Sequence, residues 1–188
     1  MHNQTLSNAL NDASPIIMGI LNATPNSFSD GGDFFDTDDA IQRAHTMVKE
    51  GARIIDIGAE SSNPKAQPIS AQEEIQRLTP IVKTLRHELS AFISIDTYHP
   101  ETMHAMIDLG VDIINDINGF RDPESLKAVS VSHVHLVTMH LDNPIETMHV
   151  VTAHHNIVES IQLFFNERMA TFAEYGIDPT RVILDPGF

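Results

Sequence analysis

The chain has 188 residues, 41% of them hydrophobic, and its 26 acidic and 11 basic side chains give a formal net charge of −15. A chain of this length and composition can bury one sizeable core, so we expect a single domain. Such an acidic surface repels nucleic acid, and no apolar run approaches the roughly 20 residues that span a bilayer. We therefore expect neither a nucleic-acid partner nor a membrane. Cysteine is absent, which excludes disulfides and cysteine-bound metals and suits the cytoplasm.

The beginning of the chain has the composition of a tail. Residues 1–14 are polar and rich in asparagine, and they lack the basic and apolar regions of a secretory signal. We predict a flexible N-terminal tail over residues 1–14, followed by one folded domain over residues 15–188.

From residue 16 onward, short apolar runs alternate with longer stretches of helical periodicity. The predicted strands cover residues 16–21, 53–58, 92–96, 111–115 and 134–139, and a sixth begins at residue 181. The predicted helices cover residues 39–50, 70–85, 100–110, 123–129 and 156–175. Ser70 and Glu73 have the spacing of a capping box at the start of the second helix, and Pro80 predicts a kink or a break within it.

This alternation predicts βαβ units with right-handed crossovers, and therefore a parallel sheet. Such a sheet can be an open, doubly wound sheet or a (β/α)8 barrel. No G-x-G-x-x-G follows the first strand, which disfavours a dinucleotide-binding fold. Polar residues instead recur at the carboxyl ends of successive strands, where barrel active sites are assembled. We therefore predict an α/β protein with the architecture of a (β/α)8 TIM barrel.

The length of the chain sets how much of a barrel it can hold. A (β/α)8 barrel takes about 250 residues, whereas the six predicted strands occupy a chain of 188. We expect a barrel that is truncated after about six βα units, with two further units beyond Phe188.

Three strand ends carry polar side chains that suit a flat heterocycle. Asp96, Asn115 and Asp185 follow the third, fourth and sixth strands, and Asp116 stands next to Asn115. Carboxylates and a carboxamide at one barrel mouth suit a ring that presents an amino group and a ring N–H beside a carbonyl, as a 2-amino-4-oxo-pteridine does. The alternative is that each of these side chains caps a helix or holds a loop.

Six segments carry a resemblance to a known family. They read GILNATPNSFSDGG, IDIGAESS, SIDTYHPE, NDINGF, VTMH and LDPGF, in this order along the chain. Over residues 16–188 the chain resembles the dihydropteroate synthases. The resemblance implies a pterin-binding barrel domain that condenses (7,8-dihydropterin-6-yl)methyl diphosphate with p-aminobenzoate. The products would be 7,8-dihydropteroate, made in folate biosynthesis, and diphosphate.

The resemblance also implies which residues bind the pterin. The family's residues that grip the ring match Asp96, Asn115 and Asp185, and a residue that lines the pterin pocket matches Met139. The reaction needs no strong base, because diphosphate neutralised by Mg²⁺ leaves readily and the pterin-methylene cation is then stabilised by the ring and nearby carboxylates. We therefore assign no catalytic acid or base.

The loops after the first two strands would bind the other groups. Asn22 matches the residue that helps to place Mg²⁺, the expected cofactor, and the diphosphate. The mobile loops that close over p-aminobenzoate match Thr24, Phe28, Ser61 and Ser62.

The second of these loops departs from the common pattern of the family. Where ordinary synthases read E-S-T-R-P-G, this chain reads ESSNPKA over residues 60–66, so Asn63 replaces an arginine. This loop and NDINGF look more like the sulfonamide-insensitive synthases. We expect a sulfonamide target that discriminates against the drugs better than an ordinary synthase does.

Two other functions stay open at this point. The pterin-binding module of a methyltetrahydrofolate methyltransferase resembles the same barrel, although methyl transfer requires no diphosphate loop such as residues 22–32. The second is a non-catalytic remnant, because the family's Ser-Arg-Lys segment and final Arg-x-His would fall beyond Phe188. We expect the 188-residue chain alone to be inactive, and the full-length protein to form a homodimer, as is common in the family.

Overall fold

The computed structural model describes residues 5–12, 14–24, 37–60, 68–143 and 156–187. The strands are β1 (Met18–Asn22), β2 (Ile54–Gly58), β3 (Phe92–Asp96), β4 (Ile113–Asp116), β5 (His135–Met139) and β6 (Val182–Asp185). The helices are α1 (Leu6–Leu10), α2 (Thr37–Lys49), α3 (Ala71–Glu88), α4 (Pro100–Asp108), α5 (Pro123–Ser130) and α6 (Ile157–Glu174). None of the described helices is both long enough and apolar enough to cross a membrane.

The strands form one sheet in the order β1-β2-β3-β4-β5-β6, and every neighbouring pair is parallel. A doubly wound sheet reverses its strand order at a switch point, whereas here each strand lies beside its predecessor in the chain. In a (β/α)8 barrel the parallel strands follow one another around the wall in the order of the sequence, as they do here. The prediction of an α/β fold of the barrel type is therefore confirmed over the described residues.

Alternation along the strands separates two apolar cores. Side chains of one parity, among them Ile55, Ile93 and Leu136, pack with the helices. Side chains of the other parity form a second cluster, here called the lumen floor, which consists of Leu6, Ala9, Ile54, Phe92, Ile113 and Val137. Successive side chains of a strand point to opposite faces. Residues two or four positions beyond the lumen floor therefore also face the lumen.

Helix α1 packs on the lumen floor, where the sequence predicts a flexible tail. Leu6 is 5% exposed and Ala9 is fully buried in this cluster. Ser7 Oγ lies 3.2 Å from His135 Nε2, which joins the helix to the start of β5. The tail prediction is wrong for residues 5–12. So short a segment shows no helical period in the sequence, and its apolar side chains find their partners only in the folded barrel.

Helix α3 runs without interruption through Pro80, so the predicted break does not occur. Ser70 caps the helix as predicted, and its side chain accepts the N–H of Glu73. Pro80 lies on the exposed side, where water can hydrogen-bond the carbonyl group that a proline leaves without its helical donor.

The two outer strands of the sheet are β1 and β6, and neither outer edge has a strand partner among the described residues. Ile20 faces the lumen from β1 and is 57% exposed. Leu184 on β6 is 46% exposed. Over the described part of the chain, apolar side chains of both outer strands are therefore exposed, Ile20 on the lumen face and Leu184 on the helix-facing side.

We predict that Leu6→Asp lowers the free energy of unfolding by about 2–4 kcal/mol, because it places a carboxylate in the lumen floor. Leu10→Asp is the matched control: Leu10 is on the same helix but 36% exposed, and we expect a loss below about 1 kcal/mol. Urea unfolding followed by circular dichroism measures both. Equal losses in the two variants would show that α1 does not depend on its contact with the lumen floor.

Candidate functional site

The residues predicted to grip a pterin face the lumen at the carboxyl ends of their strands. Asp96 on β3, Asn115 on β4 and Asp185 on β6 lie two or four residues beyond apolar residues packed in or against the lumen floor, and each is half-buried. β3 and β4 are in register at Asp96 and Asn115, so these side chains are neighbours. Met139, also half-buried, is level with Asp185 across the β5–β6 pair. The structure thus brings all four to one face of the sheet at one end.

Beside Asn115 lies a carboxylate that the sequence analysis does not select. Asp56, in the middle of β2, is 3% exposed, and its Oδ2 accepts a hydrogen bond from Asn115 Nδ2 at 3.0 Å. Burial raises the pKa of Asp56, and the Ser94 and Asn115 side chains act in the opposite direction. The signal that could have identified it is the run RIIDIG, residues 53–58, in which one charged residue interrupts an apolar strand.

Asp96 lies in a concentrated negative field. Its pKa rises from the usual 3.8 to about 7, first because the carboxyl group is buried and then because other carboxylates are near. Those carboxylates are Asp56, Glu74, Asp116 and Glu60. Near neutral pH, Asp96 is therefore divided between its charged and neutral forms, and a ligand N–H group or positive charge beside it would favour the charged form.

The turn that follows β6 positions Asp185. Its Oδ1 accepts the N–H of Gly187 at 2.9 Å, and its backbone carbonyl accepts the N–H of His140 at 2.8 Å. Gly187 has a φ of +72°, and a Cβ at this position would lie 2.6 Å from the His140 carbonyl oxygen. Only glycine allows this turn to approach the end of β5 so closely. The Gly187 N–H in this turn then fixes the direction of the Asp185 carboxylate.

A second buried acid, Glu74 of α3, holds the loop after β3. It is 2% exposed, and its Oε2 accepts a hydrogen bond from Thr97 Oγ1 at 2.7 Å. Nearby, the Tyr98 hydroxyl donates to Glu60 Oε2 at 3.0 Å and joins the loops after β2 and β3. Glu74 is missed by the sequence analysis, because a glutamate in the first turn of an amphipathic helix ordinarily faces solvent.

Asp116, next to Asn115 in the chain, holds a loop. It is 1% exposed, and its carboxylate oxygens accept the N–H groups of Asn118 at 2.7 Å and Phe120 at 2.8 Å. Phe120 has a φ of +53°, an unfavourable backbone conformation for a bulky residue, and it is fully buried edge-on to the Phe172 ring. Burial is the main cause that raises the pKa of Asp116 to about 7. The loop-holding alternative is correct for this residue.

The other predicted site residues lie at the rim or outside the described residues. Asn22 ends β1 and is exposed, and Thr24 is half-buried two residues later. Phe28, Ser61 and Ser62 fall outside the described residues. Within the described ranges, no group of three or more His, Cys, Asp or Glu side chains is arranged to hold a metal ion.

A sequential parallel barrel wall with acidic and amide side chains at its carboxyl end is the arrangement expected of a protein that binds a polar heterocycle. The chain belongs to the family of pterin-binding enzymes, whose sequence profile matches residues 18–188. The match begins at the first residue of β1, so it includes every strand described above.

Within this family, the relatives with similar sequences are dihydropteroate synthases. The enzyme of Synechocystis sp. is 41% identical over 172 residues, which are 91% of this chain and 60% of the relative. Dihydropteroate synthase type-3 of Escherichia coli is 44% identical over 172 residues, which are 91% of this chain and 65% of the relative. The chain thus spans less than two thirds of the length of these curated relatives.

Solved structures of dihydropteroate synthases have the same fold. The Burkholderia cenocepacia enzyme, complexed with 7,8-dihydropteroate, superimposes with a TM-score of 0.82 at 39% identity, covering 94% of this chain and 59% of that one. The Xanthomonas albilineans enzyme with 4-aminobenzoic acid gives a TM-score of 0.84 at 35% identity, covering 94% and 62%. The resemblance inferred from the six sequence segments is confirmed.

We predict that Asp96→Asn makes the ligand-free protein more stable at pH 8 but not at pH 4. A carboxyl group whose pKa is raised to about 7 on folding stabilises the fold at low pH, and this contribution is lost as the pH rises from about 4 to about 7. Asparagine does not ionise, so the variant should gain up to about 4 kcal/mol at pH 8. Urea unfolding at both pH values measures the difference, with exposed Asp108→Asn on α4 as the control for removing one charge. A gain that is the same at both pH values would contradict this account.

We also predict that Asp116→Ala costs about 2–4 kcal/mol of stability, because it leaves the buried N–H groups of Asn118 and Phe120 without acceptors. Asp116→Asn should cost less, since an amide oxygen can still accept one of these bonds. Thermal unfolding of both variants, beside Asp108→Ala, measures the effect. If Asp116→Ala unfolds with the wild-type midpoint, the carboxylate does not hold this loop.

Proposed function

We propose that the protein to which this chain belongs is a dihydropteroate synthase. It condenses (7,8-dihydropterin-6-yl)methyl diphosphate with p-aminobenzoate to give 7,8-dihydropteroate and diphosphate, in the cytoplasm. The observation that carries the proposal is the convergence of Asp96, Asn115 and Asp185 at one barrel mouth, within a chain whose relatives bear that name. The solved relatives complexed with 7,8-dihydropteroate and with 4-aminobenzoic acid support the same substrates.

The pterin would be recognised through its polar edge. Asp96 and Asp185 are acceptors for ring N–H and amino groups, and the Asn115 amide can both accept and donate. Asp185 is held in one orientation by the Gly187 N–H, so little conformational entropy is lost when the ring binds. Met139, level with Asp185, supplies a polarisable surface for the flat face of the ring.

The same carboxylates would favour the transition state. When the bond between the methylene carbon and the diphosphate oxygen breaks, positive charge develops on the pterin and its methylene group. Asp96 and the four acids around it create a negative potential at that place before the reaction begins, which is the preorganised electrostatics that stabilises such a charge. The arylamine then attacks a carbon that is already electrophilic and loses its proton to water. No side chain of this site has to act as a strong base.

Asn22 is the residue that we assign to the diphosphate and its Mg²⁺ ion. Its carboxamide oxygen is a hard donor, and Asn22 is exposed at the end of β1. Magnesium in phosphate sites commonly keeps several waters and takes only one or two protein ligands besides the phosphates, so a single rim carboxamide fits that mode. When bound, the ion would neutralise the leaving diphosphate. We assign Thr24, Phe28, Ser61 and Ser62 to the loops around p-aminobenzoate, and the sulfonamide discrimination expected from residues 60–66 belongs to the same proposal.

The two alternative functions have less support. The relatives compared above are all dihydropteroate synthases, and none of these four is a methyltransferase. A non-catalytic remnant gives no reason for the close glycine turn that orients the Asp185 carboxylate, nor for the acids gathered around Asp96, because neither feature improves the packing of a core.

The test of the proposed function is an assay of the polypeptide that carries this sequence, expressed at its natural length. We expect diphosphate release that depends on both substrates and yields 7,8-dihydropteroate. Asp185→Asn should weaken pterin binding by about 1.5–3 kcal/mol, the loss of a hydrogen bond to a charged group, and leave the KM for p-aminobenzoate nearly unchanged. Glu174→Gln, an exposed acid at the end of α6, is the control. Failure of the wild type to form 7,8-dihydropteroate would overturn the proposal.

A further inference from the structure

Asp56 is an acid whose position the apolar core does not explain. Its neighbours along β2, Ile54, Ile55 and Ile57, are all buried apolar residues, and a fourth such residue would fit the strand equally well. The Asp56 carboxylate is instead buried at 3% exposure. The Ser94 side chain lowers its pKa, yet no group among the described residues lies at hydrogen-bonding geometry to its Oδ1. A buried carboxylate with one unpaired oxygen destabilises a fold. The presence of an aspartate at position 56 therefore has to be explained by something other than the stability of the fold.

Asp56 is hydrogen-bonded to a site residue. Asn115 Nδ2 donates to Asp56 Oδ2 at 3.0 Å, whereas the buried Asn115 Oδ1 has no partner in the described part of the chain. An ionised carboxylate only accepts hydrogen bonds, so it can face the NH2 side of the amide and not its oxygen. Asp56 thus decides which of the two possible amide orientations Asn115 adopts. The acceptor Oδ1 and the second N–H of Nδ2 remain for a ligand.

We propose that Asp56 is a positioning residue that fixes the Asn115 amide, and so determines that the site accepts a heterocycle with an amino group next to a ring acceptor nitrogen. The inference rests on the proposed function and goes beyond it, because it assigns the selectivity for the 2-amino group to a residue that does not touch the ligand.

The chemistry of the pterin edge matches one amide orientation only. A 2-amino-4-oxo-pteridine carries an exocyclic NH2 donor beside a ring nitrogen acceptor, and an amide presents the complementary acceptor and donor. If the Asn115 amide rotated by half a turn, its NH2 would face the ligand NH2 and its oxygen would face the ring nitrogen. Both hydrogen bonds would be replaced by repulsive contacts between buried groups.

Asp56→Asn separates this role from a structural one. The substitution keeps the shape of the side chain, and it removes a buried charge, so the variant should remain folded. The new amide can hydrogen-bond the Asn115 amide in either orientation, and the selection is lost. Ser94→Ala is the matched control: Ser94 is level with Asp56 on β3, fully buried, and acts on the Asp56 carboxylate through its side chain, but its removal leaves the contact between Asp56 and Asn115 in place.

Calorimetry on the protein at its natural length, with 7,8-dihydropteroate and its 2-desamino analogue, measures the selectivity. We expect the wild type and Ser94→Ala to prefer the amino compound to the same degree, and Asp56→Asn to reduce that preference by about tenfold, the effect of one buried hydrogen bond. In an Asn115→Ala background, Asp56→Asn should have no further effect on the preference, since its role is exercised through the amide.

A second measurement requires no substitution at position 56. In the wild type, adding 7,8-dihydropteroate should shift the NMR signal of the Asn115 side-chain N–H that is free for the ligand more than the signal of the N–H donated to Asp56. The inference is overturned if Asp56→Asn keeps the full preference, even with an altered melting temperature, or if both N–H signals shift equally. A wild type that does not bind 7,8-dihydropteroate at all would overturn the proposed function, which is a different result from binding without a role for Asp56.

Discussion

The gathering of buried carboxylates on the inner face of the barrel wall is the constraint on which this structure depends. Burial raises the pKa of both Asp56 and Asp96, and the Asp56 carboxylate makes Asp96 still harder to ionise. This arrangement is unfavourable for folding, and it persists because the lumen floor and the helix-facing core supply apolar burial on either side. The same field that disfavours a charged Asp96 in the empty site favours a ligand that brings N–H groups or positive charge.

Buried acids of the same type perform two different tasks here, and their hydrogen-bond partners distinguish the tasks. Asp116 uses both carboxylate oxygens on backbone N–H groups, and Glu74 accepts the Thr97 hydroxyl, so these acids shape the loops at the mouth. Asp56 keeps an unpaired oxygen, and Asp185 uses Oδ1 on the Gly187 N–H of the next turn. Asp116, with both oxygens bound to backbone N–H groups, stabilises the scaffold, whereas Asp185 at the barrel mouth keeps its second oxygen for a ligand.

The register of the parallel strands brings residues that are distant in the sequence together in one site. Asp96 and Asn115 belong to consecutive βα units, and they become neighbours because β3 and β4 pair at these two positions. The pair of Met139 and Asp185 forms in the same way between β5 and β6. A shift of one residue in either pairing would turn these side chains toward the helices. The apolar alternation of the strands, which fixes the register, is therefore also what assembles the site.

Local patterns in the sequence determined the elements and the site residues at strand ends. Short apolar runs and helical spacing predict each strand and the five longer helices to within about three residues, and the rule that barrel sites form at carboxyl ends selects Asp96, Asn115 and Asp185. Only the tertiary structure decided what depends on distant partners. In the folded protein, residues 5–12 include a helix that packs on the lumen floor. The Asp116 carboxylate binds backbone N–H groups of the loop that follows β4. The tertiary structure also placed Asp56 against an asparagine 59 positions away. Which groups a buried acid contacts is a property of neighbours that the chain meets only when the barrel wall forms, so no local pattern can encode it.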